Sequence, residues 1–224
     1  IYETHTGPAR VRAARQGLWV AVLVYLLFAA SDVILIPDVA ATTILARFIV
    51  ALLSLVVLEV CCWAKVGPRG IESISAISIV AGYLFWLIPA LETTAIESIR
   101  LYMIFGTIFM MGANLFFIFP FVLSVVTSIV VLGVLLASMV AMFPSDPVYM
   151  INFGLFYVSC FIFTSYVNWK LNGERYNVFL NALEAAHQQI FYAQHLPSLT
   201  DIKSEQYTET VDFLKQTVFA AVDN

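Results

Sequence analysis

The chain has 224 residues, of which 61% are hydrophobic and 12% charged, and its net charge is -4. An ordinary soluble domain carries roughly 25% charged residues, so this composition excludes most soluble folds. The net charge is uninformative about partners, and no nucleic-acid partner is expected. Crossing about 30 Å of hydrocarbon takes about 20 apolar residues per helix, which leaves room for five to seven spans. Lipid offers no partner for an open backbone amide and the chain lacks the sustained alternation of a barrel, so the spans are expected to be helices.

In chain order, residues 1–16 read as a basic cytoplasmic segment with Arg10, Arg12 and Arg15. The first span is expected over residues 17–36, ending at Pro37, and a tight turn leads into the second over residues 43–64. The first run is too long for a signal-peptide core and lacks a small-residue cleavage site, so it reads as a retained span. The third covers residues 71–88 and stops at Pro89, followed by a short polar segment holding Glu92 and Glu97. Residues 101–143 are apolar for too long to be one span, and Phe119 and Pro120 mark the reversal between spans four and five. The sixth span follows the turn Pro144, Ser145, Asp146, Pro147 and runs over residues 148–169.

Cations near span ends stay on the cytoplasmic side. With six spans, Arg10, Arg12, Arg15, Lys65, Arg69, Lys170 and Arg175 fall on one side, and Asp38, Glu92, Glu97 and Asp146 on the other. Arg100 and the interior Arg47 are the exceptions. Both termini are therefore expected in the cytoplasm, with the six-helix unit at residues 17–169.

Residues 170–197 leave the membrane yet contain no interior proline, so span six is expected to continue as a helical stalk. Tyr176, Phe179, Leu183, Ala186, Ile190 and Ala193 follow the three-four spacing of a coiled-coil seam, which implies a homodimer. An amphipathic helix lying on its own protein is the alternative. Residues 198–224 open with SLTD and then show a second amphipathic pattern from Ser204.

Ionisable residues deep in a span are costly and normally find a protein partner. Asp32 and Arg47 sit inside spans one and two across a short turn, so an ion pair is expected there, either orienting the two helices or lining a sensing cavity. Asn114, Asn152, Ser124, Thr127 and Ser128 are candidates for hydrogen bonds between helices. Tyr83, Trp86, Tyr102 and Tyr149 fall near the outer ends of spans, where an aromatic belt is expected. Together with Asn114 and Asn152 they are also candidates for lining a pocket for a small-molecule or lipid ligand. No phosphate loop, HExxH, GxSxG or histidine cluster is present, and no metal site or cofactor is expected. Cys61, Cys62 and Cys160 show no disulfide or metal spacing.

The basic start, six compact spans with an Asp on the first and an Arg on the second, and the stalk NWKLNGERYNVFLNALEAAHQQ followed by SLTD resemble the MASE-type membrane sensory regions that precede GGDEF domains in bacterial diguanylate cyclases. The resemblance covers about residues 8–201 and implies an inner-membrane receptor that controls cyclic di-GMP synthesis through a dimeric stalk. Asp201 is followed by Ile202, Lys203 and Ser204 instead of the PLTGL expected at the cyclase entry. No GGDEF residue can be carried over, so GTP and Mg belong only to a cyclase domain that this chain lacks. Residues 198–224 would then be a remnant or the start of an output domain. Sensor regions of class III adenylate cyclases and of histidine kinases share this arrangement, and a small membrane carrier is the alternative of a different class.

Overall fold

The computed structural model describes residues 2–117, 119–195 and 212. Among them the elements are α1 (Tyr2–Leu27), α2 (Ala29–Leu35), α3 (Ala40–Trp63), α4 (Pro68–Ala90), α5 (Ile96–Met103), α6 (Gly106–Met111), a π-helical turn (Gly112–Phe116), α7 (Phe121–Met142) and α8 (Pro147–His195), with no strand. Six stretches are long and apolar enough to cross a membrane: Gly7–Leu35, Ala40–Trp63, Pro68–Ala90, Ile96–Phe116, Phe121–Met142 and Pro147–Gln189. The chain is thus an all-α, multi-pass membrane protein.

The helix that carries the first apolar stretch begins upstream of it, at Tyr2. Charged residues in its early turns are accommodated because Arg10 and Arg15 each meet a carboxylate from another helix. Arg10 Nε and Nη2 donate to both oxygens of Glu72, at 2.7 and 2.6 Å, and Arg15 Nε donates to Glu59 at 2.8 Å. Proline sets several other boundaries: Pro68 and Pro147 open α4 and α8, where the missing N–H costs nothing, and Pro120 immediately precedes α7. The α3 terminus closes differently. Lys65 adopts a left-handed conformation (φ 55°), its amide donates to the Cys62 carbonyl, and the Val66 amide donates to that of Cys61, which satisfies two of the last carbonyls of the helix.

Arg10–Trp169 form one compact unit. Within it α3 packs along α4, and α4 along α7. One part of the core gathers Trp86, Leu87, Tyr102, Met103, Leu135 and Met139, and another gathers Leu18, Leu58, Ile71, Phe117 and Phe119. Large apolar side chains such as Leu52, Val122 and Ile162 point outward, as expected where the solvent is lipid. Trp19, Trp63 and Trp169 are exposed, whereas Tyr83, Trp86, Tyr102 and Tyr149 are all buried. Of the two readings open for these four, an aromatic belt and an interior lining, their burial excludes the belt: position along a span is legible in hydropathy, but they lie on the inward faces of their helices.

The turns on the Pro37 side are tied together by side chains. Asp38 accepts from Thr93 Oγ1 at 2.6 Å, and from the Thr94 amide and hydroxyl at 2.6 and 2.9 Å. The Thr93 hydroxyl and then the Thr94 amide hold the Asp38 carboxyl down at about 2, from an ordinary 3.8. A carboxylate with a depressed folded pKa stabilises the fold above its unfolded pKa and loses that contribution as pH falls through the folded value. Asp38→Asn should therefore lower the unfolding midpoint in micelles above pH 4, and the gap to the wild type should close as pH approaches about 2. A gap that stays constant with pH would contradict the assignment. Nearby, Arg100 pairs with Asp146 at 2.8 Å and lies over the rings of Phe143 and Tyr149. The Tyr149 amide, followed by Arg100, holds the Asp146 carboxyl below its usual range.

The second compact unit contains the later part of α8. There Phe179 is buried, Ala186 is half-buried, and Tyr176 and Leu183 are exposed. The side chains of Ile190 and Ala193, and the amphipathic pattern from Ser204, lie outside the described residues.

A cavity beside a buried ion pair

Asp32 and Arg47 are brought together by the hairpin of α2 and α3. Arg47 Nε donates to Asp32 Oδ2 at 2.6 Å and Nη2 to Oδ1 at 2.8 Å, a two-pronged match of guanidinium to carboxylate. Arg47 is 1% exposed and Asp32 fully buried. A third residue completes the group: the Tyr102 hydroxyl donates to Asp32 Oδ1 at 2.7 Å and accepts from Arg47 Nη2 at 3.3 Å.

Arg47 also explains why the first span is broken into α1 and α2. Its Nη1 donates to the Tyr25 carbonyl at 2.8 Å, one turn before the interruption at Phe28, and its guanidinium lies 4.7 Å from the Tyr25 ring centroid. A side chain inserted at a helix carbonyl is a recognised cause of such breaks. The Ser31 hydroxyl and amide both return to the Phe28 carbonyl, tightening the turn that restarts the helix.

Beside the pair lies a cavity of ≈ 250 Å³ between spans one to four, walled by Tyr25 and Phe28, by Arg47 and Ser54, by Ser78, Gly82 and Trp86, and by Phe105, Phe109 and Gly112. Its aromatic wall is internally braced. Trp86 stacks on Tyr102 at 5.0 Å, Phe109 packs against Tyr83, Trp86 and Tyr25, and the Tyr25 hydroxyl donates to the Gly82 carbonyl at 2.9 Å. Two lining residues, Met111 and Phe116, are exposed, so the cavity reaches the surface beside them.

Span four forms this wall as a discontinuous helix. It changes from α5 to α6 through shortened turns at Ile104 and Phe105, then widens into the π turn, where the Phe117 amide donates to the Gly112 carbonyl at 3.3 Å. Irregular backbone at membrane depth is tolerated where protein or a cavity surrounds it, and π turns recur at functional sites. Asn114 holds the turn in place. Its Nδ2 donates to Ser128 Oγ at 2.8 Å and Thr164 Oγ1 at 3.0 Å, its Oδ1 accepts from Ser124 Oγ at 2.8 Å, and its carbonyl accepts from Asn168 Nδ2 at 2.6 Å.

Of the six pocket candidates read from the sequence, Trp86 lines the cavity. Tyr83 and Tyr102 brace it from behind, and Asn114 anchors its π turn. Tyr149 is apart from it, its hydroxyl donating to the Arg100 carbonyl at 3.2 Å. Asn152 is corrected outright: it is exposed on α8, because the inward face of that helix carries Tyr149, Tyr157, Thr164 and Asn168. Sequence reading missed Tyr25, Phe105 and Phe109. Tyr25 had one available signal, its spacing of seven residues from Asp32, which places both on one helix face. Glu72, buried against Arg10, was missed because it stands four residues inside α4 and reads as a span-end residue. No family model matches the chain, and none of the curated proteins or solved structures matches it either.

Proposed function

We propose that the chain is a membrane-integral receptor module, with the cavity as its input and α8 as its output. The observation that carries this reading is the length of α8, 49 residues in one helix, more than twice the about 20 needed to cross the bilayer. A rotation or shift of its membrane part is also a motion of the segment beyond. Ligand binding biases such a helix only through a difference in affinity between its two positions, and a cavity bounded by a broken span can supply that difference.

The resemblance to the membrane regions of diguanylate cyclases supports an output of that class. There two GGDEF domains have to face each other to join two GTP molecules, so a change in stalk geometry gates the reaction. On this reading the protein sits in a bacterial inner membrane with both termini in the cytoplasm, which the partition of cations favours. A homodimer would form through the stalk. Tyr176 and Leu183 are exposed at seam positions, whereas Phe179 is already covered within one chain.

In a fusion of this chain to an active GGDEF domain, deleting residues 176–193 should abolish regulation of cyclic di-GMP synthesis and leave the unfolding of the spans unchanged. Regulation that survives the deletion would overturn the receptor reading. Flux of a solute into vesicles, indifferent to the deletion, would favour a carrier.

A further inference from the structure

We propose that the cavity takes a neutral, elongated lipophile bearing a hydrogen-bond acceptor at one end, such as a ketone or ester carbonyl, with the acceptor on Arg47 and the chain lying along α3. The assignment deepens the receptor reading and rests on it for its physiological meaning.

Donor accounting leads to the acceptor. A guanidinium carries five N–H groups. Asp32 takes two, the Tyr25 carbonyl one and the Tyr102 hydroxyl one. The fifth, on Nη1, belongs to a side chain that lines the cavity. An alkane would leave that donor unmet in an apolar space, which is unfavourable. A carboxylate would meet it but is also disfavoured: the Arg47 charge is already matched by Asp32, so an anionic ligand would bring an uncompensated charge to membrane depth.

Shape and access point the same way. Volume ≈ 250 Å³ exceeds the roughly 150 Å³ that accommodates a benzene, and falls short of the about 300 Å³ at which pockets for drug-sized ligands begin. Arg47 and Ser54 both line the cavity, and seven residues along a helix separate them by about 10 Å. A single chain fits that distance. Exposure of Met111 and Phe116 puts the entrance on the apolar, lipid-facing surface, which a lipophile reaches by lateral diffusion.

The test uses Trp86, which is in the cavity wall. The full chain with Trp19→Phe, Trp63→Phe and Trp169→Phe leaves it as the one fluorophore of its kind among the 4 tryptophans. In vesicles of diether phospholipid, 11-bromoundecan-2-one should quench Trp86 saturably, with an apparent Kd at least tenfold lower than 1-bromoundecane or 11-bromoundecanoate. Ser54→Leu, which fills the cavity, should weaken the ketone at least tenfold. Equal quenching by the alkane, tighter binding of the carboxylate, or indifference to Ser54→Leu would overturn the assignment.

A lipid ester and a free lipophile share this chemistry, and brominated-chain phospholipids without added ketone separate them. Quenching in diester but not diether bilayers identifies the lipid ester, quenching in neither identifies a free lipophile, and equal quenching in both overturns the need for an acceptor. Spin-label distances between copies at Glu184 report α8 independently. Ketone binding without a distance change leaves the ligand assignment standing and overturns the receptor reading. Absence of binding does the reverse.

Discussion

Arg47→Met is expected to destabilise the spans by about 3–5 kcal/mol, the usual cost of leaving one member of a buried ion pair uncompensated. The environment leaves Asp32 little alternative, since its remaining partner is the Tyr102 hydroxyl. The double variant Asp32→Leu with Arg47→Met removes both charges and should recover most of that loss. It should fall short by about 1–2 kcal/mol, because the Tyr25 carbonyl loses its donor and the buried Tyr102 hydroxyl loses both partners. Chemical unfolding in micelles, compared across the two single variants and the double, measures the coupling directly. Additive losses would show that the pair contributes nothing as a pair. A double variant that folds but no longer answers a ligand would place Arg47 in recognition as well as in architecture.

The second large effect is expected at Asn114. Hydrogen bonds between membrane helices average about 0.6 kcal/mol and reach about 1.7. Asn114→Ala removes three made by the side chain, so a loss of about 2 kcal/mol is expected. The same change should speed amide exchange over the π turn Gly112–Phe116, since spans five and six would then grip it only through the Ala113 and Asn114 carbonyls. Asn152→Ala supplies the control. That residue is exposed, so its replacement should stay within about 0.5 kcal/mol of wild type. Equal effects at the two asparagines would sink the proposed anchoring role.

Much of this arrangement is written in hydropathy and much is not. Span number and order follow from the lengths of apolar runs, and the reversal at Pro120 follows from the backbone chemistry of proline. Asp32 and Arg47 stand out because charge is rare at that depth. The direction a side chain faces is harder to read in lipid than in water. A soluble helix marks its inner face with apolar residues, but here both faces are apolar. Hence Tyr83 and Trp86 look like belt residues, and Asn152 looks as buried as Asn114. The breaks in span four were equally invisible, since no proline marks the change at Phe105 and the π turn depends on Asn114 meeting Ser124, Ser128 and Thr164 from later spans.

The order of synthesis gives the Asp32–Arg47 pair a further meaning. A nascent chain presents the first span before the second exists, and at that moment Asp32 has no counter-charge. A lone Asp or Arg opposes insertion by at most roughly 2.5 to 3.5 kcal/mol, the value at a helix centre on the scale measured at the translocon, and by less toward the helix end where Asp32 lies. Fifteen residues later Arg47 arrives with a penalty of its own, and each offsets the other's only when the two helices lie side by side. The natural unit of entry into the bilayer is therefore the hairpin rather than the helix, and the short turn at residues 36–39 keeps the interval between the two charges brief.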